Sequence, residues 1–318
     1  MTPDVFQRRA FTVDGQGFDW ADLVTAAHTW GNWKEAERVA VRAVQADTLT
    51  QLPDGPPGDN KFTDALQRFR YDRRLLSADE LHIWLEGRGL DSESLLQYIR
   101  GAECTSPAEP EAGVIDTRKA FQATWVNAVC SGLLRRVGQR LAAHLAVAYA
   151  SGMPMVQRPL AADEMESLNL AYETFSLRVD DAAARRELEQ RHTDWTRLDV
   201  LQVHSPDDQM IREIALCVRV DGRLLSDVAY DAGIAIELQH IELQDAAELM
   251  RPQMLGARTG ELLGPFSLGP ADHRLVEILK RQPPSFDDTG MAQRARARAF
   301  ERAVQHEVAD RVAFDELP

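Results

Sequence analysis

The amino-acid sequence predicts an α+β chain in three stretches: a mostly helical body over residues 1–194, a small antiparallel sheet with packed helices over 195–282, and a C-terminal helix within 283–318 that returns to the helical body. Three observations carry this. Apolar residues recur at helical spacing through the first 190 positions, the period changes to two at "RLDVLQV", and Pro283-Pro284 stops the alternating stretch before a last helical one begins.

Taken in order, "DWADLVTAAHTWGNWKEAERVAVRAVQAD" reads as two helices broken at Gly31-Asn32, with Trp33, Ala36, Val39, Ala40 and Val44 on one apolar stripe. The loop "QLPDGPPGDN" ends it. A third helix follows in "FTDALQRFRYDRRLL". Ser77 and Glu80 have the spacing of a capping box for a fourth, and Asp91 opens a short fifth. The Pro-rich "CTSPAEPEAG" marks a linker near 102–116. One long helix is expected from residue 116 to 150, with Phe121, Trp125, Val129, Leu133, Val137, Leu141 and Leu145 on one side. Helices over 161–177 and 180–193 complete the body. Then come a strand in "RLDVLQV", helices over 207–220 and 223–231, a strand in "IAIELQHIEL", a helix from Asp245 to Ala257, and strands in "ELLGPFSL" and "HRLVEILKR". The order βααβαββ in under a hundred residues calls for one small sheet. A closing helix spans 290–312.

Composition narrows the function. Lys and Arg number 36 against 50 Asp and Glu, a formal net charge of -14, which opposes nucleic acid and anionic membrane as partners. The basic clusters near Arg68–Arg74 and Arg294–Arg302 are interleaved with apolar residues, the pattern of solvated helix faces. No signal-like or membrane-length apolar run is visible, and Cys104, Cys130 and Cys217 are widely spaced and odd in number, so a cytoplasmic protein with reduced thiols is expected. No cofactor and no metal are expected: His240 and Glu242 share a strand face at i, i+2, but two ligands do not make a site, and HExxH, paired-Cys and GxSxG patterns are missing.

Three segments carry a family likeness. "FRYDRRLLSADELHIWLEGRGLDSESLLQYIRG", "CVRVDGRLLSDVAYDAG" and "GELLGPFSL" resemble parts of parvulin-type (PpiC) peptidyl-prolyl isomerase chaperones. The nearer likeness is to PpiC-related peptide maturation proteins of ribosomal peptide (RiPP) pathways, similar to the crocagin-pathway precursor-peptide-binding proteins. The resemblance implies a helical, chaperone-like body, a degenerate parvulin-like sheet domain, and peptide binding without isomerase chemistry. It also implies a precursor peptide as partner, presented to a peptide-modifying enzyme in natural-product biosynthesis.

An active parvulin carries one histidine in its first strand and one in its last. The resemblance puts Val200 and Arg274 at those positions, with His273 one residue early and so on the opposite face, and His204 past the strand end. No catalytic residues are therefore expected. The retained capacity is to hold an extended peptide along an irregular edge strand through Ile234, Ile236, Leu238 and His240, beside an apolar pocket of Met250, Met254, Leu255 and Phe266. The shift of apolar phase from Ile234, Ile236 and Leu238 to Ile241 and Leu243 suggests a bulge in that strand. Trp20, Trp30, Trp33 and Trp84 are expected in the helical core. An active isomerase with relocated groups and a general holdase chaperone remain alternatives.

Overall fold

The computed structural model describes residues 3–50, 59–103, 117–315 and 317. The Pro-rich linker and Cys104 lie outside these residues, as does most of the "QLPDGPPGDN" loop. The chain divides into two compact units, Met1–Arg178 with Arg302–Pro318, and Val179–Glu301.

After a short 3-10 helix (Pro3–Gln7) the first unit has a hairpin that the periodicity argument passes over, β1 (Arg9–Val13) and β2 (Gln16–Asp19). Its turn is Asp14-Gly15, both at positive φ (47° and 84°), the backbone that a two-residue hairpin turn demands. Asp19 then caps α1 (Trp20–Thr29): its carboxylate accepts from the Asp22 N–H while the Asp22 carboxylate accepts from the Asp19 N–H. Gly31 separates α1 from α2 (Asn32–Thr50), and α3 (Asp59–Asp72) follows. Ser77 and Glu80 form the expected capping box of α4 (Ala78–Gly87), and the Asp91 carboxylate accepts from the Ser94 N–H at the start of α5 (Ser92–Glu103).

The single long helix expected next is two, α6 (Thr117–Cys130) and α7 (Leu133–Ala150). Gly132 stands between them at φ 70°, a left-handed conformation that no helix interior accepts; the Ser131-Gly132 pair is the local signal. Most of the expected apolar side is buried, since Trp125, Val129, Leu141 and Leu145 are at or below 1% exposure and Val137 is at 3%; Leu133 is only half-buried, with Leu134 buried instead, and Phe121 is exposed. Helix α8 (Ala162–Ser176) closes this part. Trp20, Trp33 and Trp125 sit in the same core, and burial of side chains this large contributes ~1.5–3 kcal/mol each or more.

The second unit begins with α9 (Asp181–Gln190). The period change at Trp195 suggests a boundary at 194, but Ala184 and Leu188 of α9 pack with Trp195 and Ala295, so this helix belongs with the sheet. The order that follows is β3 (Arg197–Ser205), α10 (Asp208–Asp221), α11 (Leu225–Asp231), β4 (Ile236–Glu242), α12 (Arg251–Gly256), β5 (Leu262–Gly269) and β6 (Asp272–Gln282). This is the βααβαββ order read from the sequence. All neighbours are antiparallel in the order β4-β3-β6-β5, so β4 and β5 are the edges. The helix expected from Asp245 is confined to one short stretch beginning where Pro252 can occupy the first turn; residues 243–250 form turns.

Both sheet faces are covered. Leu201, Val203 and Leu275 pack under α10 and α11. Leu198, Val200, Val276 and Ile278 pack with Met250, Met254 and Phe266. Helix α13 (Thr289–Arg311) then runs from this unit into the first, where β7 (Val312–Phe314) pairs with β1 and completes a three-stranded sheet.

Candidate functional site

The site is built on the central strand β3 and its neighbours. Side chains alternate along a strand, so Leu198, Val200, Gln202 and His204 share one face, and Asp199, Leu201, Val203 and Ser205 share the other. The first face holds a pocket of about 310 Å3, lined by Gln202, Gln239, Ile241, Asp245, Ala246, Met250, Met254, Leu268 and Arg274 among others. Its walls come from strands β3, β4, β5 and β6, the turns after β4 and α12.

Of the residues singled out for peptide binding, Met250 and Met254 line this pocket, and His240 borders it. Phe266 packs beneath in the same apolar cluster at 4% exposure. The others fall elsewhere. Ile234 and Ile236 pack under α10 and α11 on the opposite face, because alternation turns Ile236 away from Ile241. Leu238 is 60% exposed on the edge strand, and Leu255 is 39% exposed and outside the pocket lining. The His240 ring meets Asp199 across the β4–β3 pair, Nδ1 to Oδ1 2.6 Å.

The suggested bulge in this strand is not there: β4 pairs with β3 in unbroken register from Glu242 to Ile236. The apolar phase shifts because the two ends of β4 bury opposite faces, Ile236 against α10 and α11, Ile241 and Leu243 against the Met250–Met254 cluster. The register shift lies instead between β3 and β6, at Asp199 and Val200.

Val200 is fully buried and pairs with Ile278, whereas Arg274, four positions earlier along β6, pairs with His204. His204 lies inside β3, exposed, rather than past its end. Arg274 Nε and Nη2 donate to the two oxygens of Asp272 at 2.7 and 2.8 Å, a bidentate pair that holds the Asp272 carboxyl below its usual range. His273 turns to the other face, where Nδ1 lies 3.0 Å from Ser267 Oγ and 3.7 Å from Asp208 Oδ1. Both contacts use the same ring nitrogen, so the three residues do not form a relay in which one nitrogen is oriented while the other moves a proton.

Sequence reasoning missed Gln202, Gln239, Arg274 as a pocket wall, and Leu268. For Gln202 a signal existed: it is a polar residue on the apolar phase of a strand that is covered on both faces.

No protein-family model and no curated protein matches the sequence. Among solved structures, the chain is similar to a SurA-like chaperone of Campylobacter jejuni (9% identity, 98% of this chain and 100% of that one, TM-score 0.20). It is similar also to the foldase PrsA of Streptococcus pneumoniae (10% identity, 91% and 82%, TM-score 0.28) and to the peptidyl-prolyl isomerase PrsA of Bacillus cereus (10% identity, 96% and 91%, TM-score 0.29). A likeness this distant says nothing of binding or catalysis. Among the described residues no helix is long and apolar enough to cross a membrane.

Proposed function

We propose that the second unit holds an extended polypeptide without isomerising it, and that its partner is a ribosomal precursor peptide presented to a modifying enzyme. The observation that carries the reading is the juxtaposition of an open edge strand, β4, with a pocket lined by Met250, Met254 and Gln202. An edge supplies unpaired backbone groups for β-augmentation, and the pocket beside it selects side chains. Absence of isomerase chemistry is supported by Val200, an apolar and fully buried residue, and by Arg274, already engaged by Asp272. Lowering a rotational barrier of ~20 kcal/mol needs groups free to act on the amide. The cytoplasm is the proposed compartment, supported by the unpaired thiols Cys130 and Cys217.

The test has two arms. In a proline-tetrapeptide isomerisation assay the protein should leave the background rate unchanged; acceleration lost on His204→Ala or His273→Ala would overturn the non-enzymatic reading. In fluorescence anisotropy, a labelled precursor peptide encoded beside the gene should bind, and Leu238→Lys on the open edge should weaken it about tenfold. Equal binding of unrelated unfolded chains would favour a general holdase. That second reading has one observation of its own, a cleft of about 660 Å3 in the first unit between α2, α5 and α6.

A further inference from the structure

Gln202 is 2% exposed, no other described side chain or backbone group hydrogen-bonds its amide, and the amide atoms keep a narrow contact with solvent. Its polar neighbours on this face are engaged: Gln239 Nε2 donates to Glu237 at 2.8 Å, and Arg274 is held by Asp272. An amide so nearly enclosed, with only solvent to complete it, is placed where a ligand group could take the place of that solvent. Gln202 occupies the apolar phase of β3, where Leu198 and Val200 precede it, so a leucine there would pack with no amide to complete. The amide is not sealed in. It faces the 310 Å3 pocket, whose other walls mix the apolar Ile241, Met250, Met254 and Leu268 with the polar Gln239, Asp245 and Arg274.

From this we infer that Gln202 is the specificity-determining residue of the pocket, and that the pocket takes a neutral amide side chain, Asn or Gln, of the bound peptide. This rests on the peptide-holding reading above and adds which residue the pocket selects. The chemistry argues for an amide over its competitors. A carboxamide presents one acceptor and two donors, so among side chains a second amide matches both ends of Gln202 in a single planar pair. A carboxylate would leave the Gln202 carbonyl oxygen unpaired and would enter beside Asp245 and Glu242, while the cationic wall, Arg274, is already paired with Asp272. An ammonium would leave the Gln202 N–H groups unpaired. An apolar side chain would bury the whole carboxamide unsatisfied, a difference of about tenfold or more in affinity.

The experiment uses the full chain and four acetylated, amidated heptapeptides, Thr-Val-Thr-X-Thr-Val-Thr, with X as Gln, Asn, Leu or Glu, each fluorescently labelled. On the wild type, the Gln and Asn peptides should bind about tenfold or more tighter than the Leu and Glu peptides. In Gln202→Leu the order should reverse toward the Leu peptide. Gln202→Glu keeps the size of the side chain but loses its N–H donors, and should lose the amide preference; it guards against a repacked strand in the first variant. Two results overturn the inference: a Leu peptide bound as tightly as the Gln peptide by the wild type, or a preference unchanged in both variants. If, in either case, binding still weakens in Leu238→Lys, the peptide-holding reading survives and only the specificity falls. If none of the four peptides binds while the precursor peptide does, the specificity falls and the peptide-holding reading survives; if the precursor peptide also fails to bind, both fall.

Discussion

Arg158 Nε donates to Asp22 Oδ2 at 2.9 Å, across 136 positions of sequence, and so ties the segment before α8 to the cap of α1. The same carboxylate accepts from the Asp19 N–H at 3.0 Å, and Asp22 is only 1% exposed. Burial raises its pKa above the usual carboxylate value, and the nearby Asp19 charge adds to this while Arg158 opposes it.

Removing the cation should therefore expose the cost. Arg158→Ala should destabilise the first unit by about 2–3 kcal/mol, below the 3–5 of a sealed pair because Arg158 keeps contact with water. The folded chain holds the Asp22 proton more tightly than the unfolded chain does. Stability contributed by this group is therefore present at low pH and falls as pH rises through the raised value, more so without Arg158. Chemical denaturation at about pH 5 and about pH 8 should show the larger deficit at the higher pH. Equal deficits would mean that Asp22 is solvated in the variant.

His144 behaves in the opposite sense. Its ring stacks on Tyr172 with centroids 4.0 Å apart, and burial pushes its pKa down to about 4. A base with a depressed pKa contributes stability that is complete above the unfolded value near 6.5 and is lost as pH falls toward 4. His144→Phe keeps the stacked ring and removes the titration. Its urea midpoint should change less than the wild type's between about pH 7 and about pH 4.5, a difference of at most a few kcal/mol.

Phe266 and Leu255 should separate in a way that the sequence did not anticipate. Phe266→Ala empties a core position and should cost the second unit about 3–5 kcal/mol, so any loss of peptide binding would follow unfolding. Leu255→Ser, on a residue 39% exposed, should move stability by less than about 0.5 kcal/mol. Thermal melts of the two variants check this, and similar melting shifts would place Leu255 in the core.

The sequence by itself determined the elements whose signals are local. The 3.6 and 2.0 periods, the Ser77–Glu80 cap and the prolines located nearly every helix and the whole βααβαββ series. Asp14-Gly15 and Ser131-Gly132 were as legible and mark the hairpin and the helix break. What only the tertiary structure decided is non-local. The three-residue β7 is a strand because β1, some three hundred positions away, offers it an edge. The face on which Ile236 lies was set by α10 and α11, and the one for Ile241 by the Met250–Met254 cluster, because burial is summed over partners that periodicity cannot name. Gln202 joined the pocket for the same reason: alternation sets its face, but only the packed turns and strands around it make that face a site.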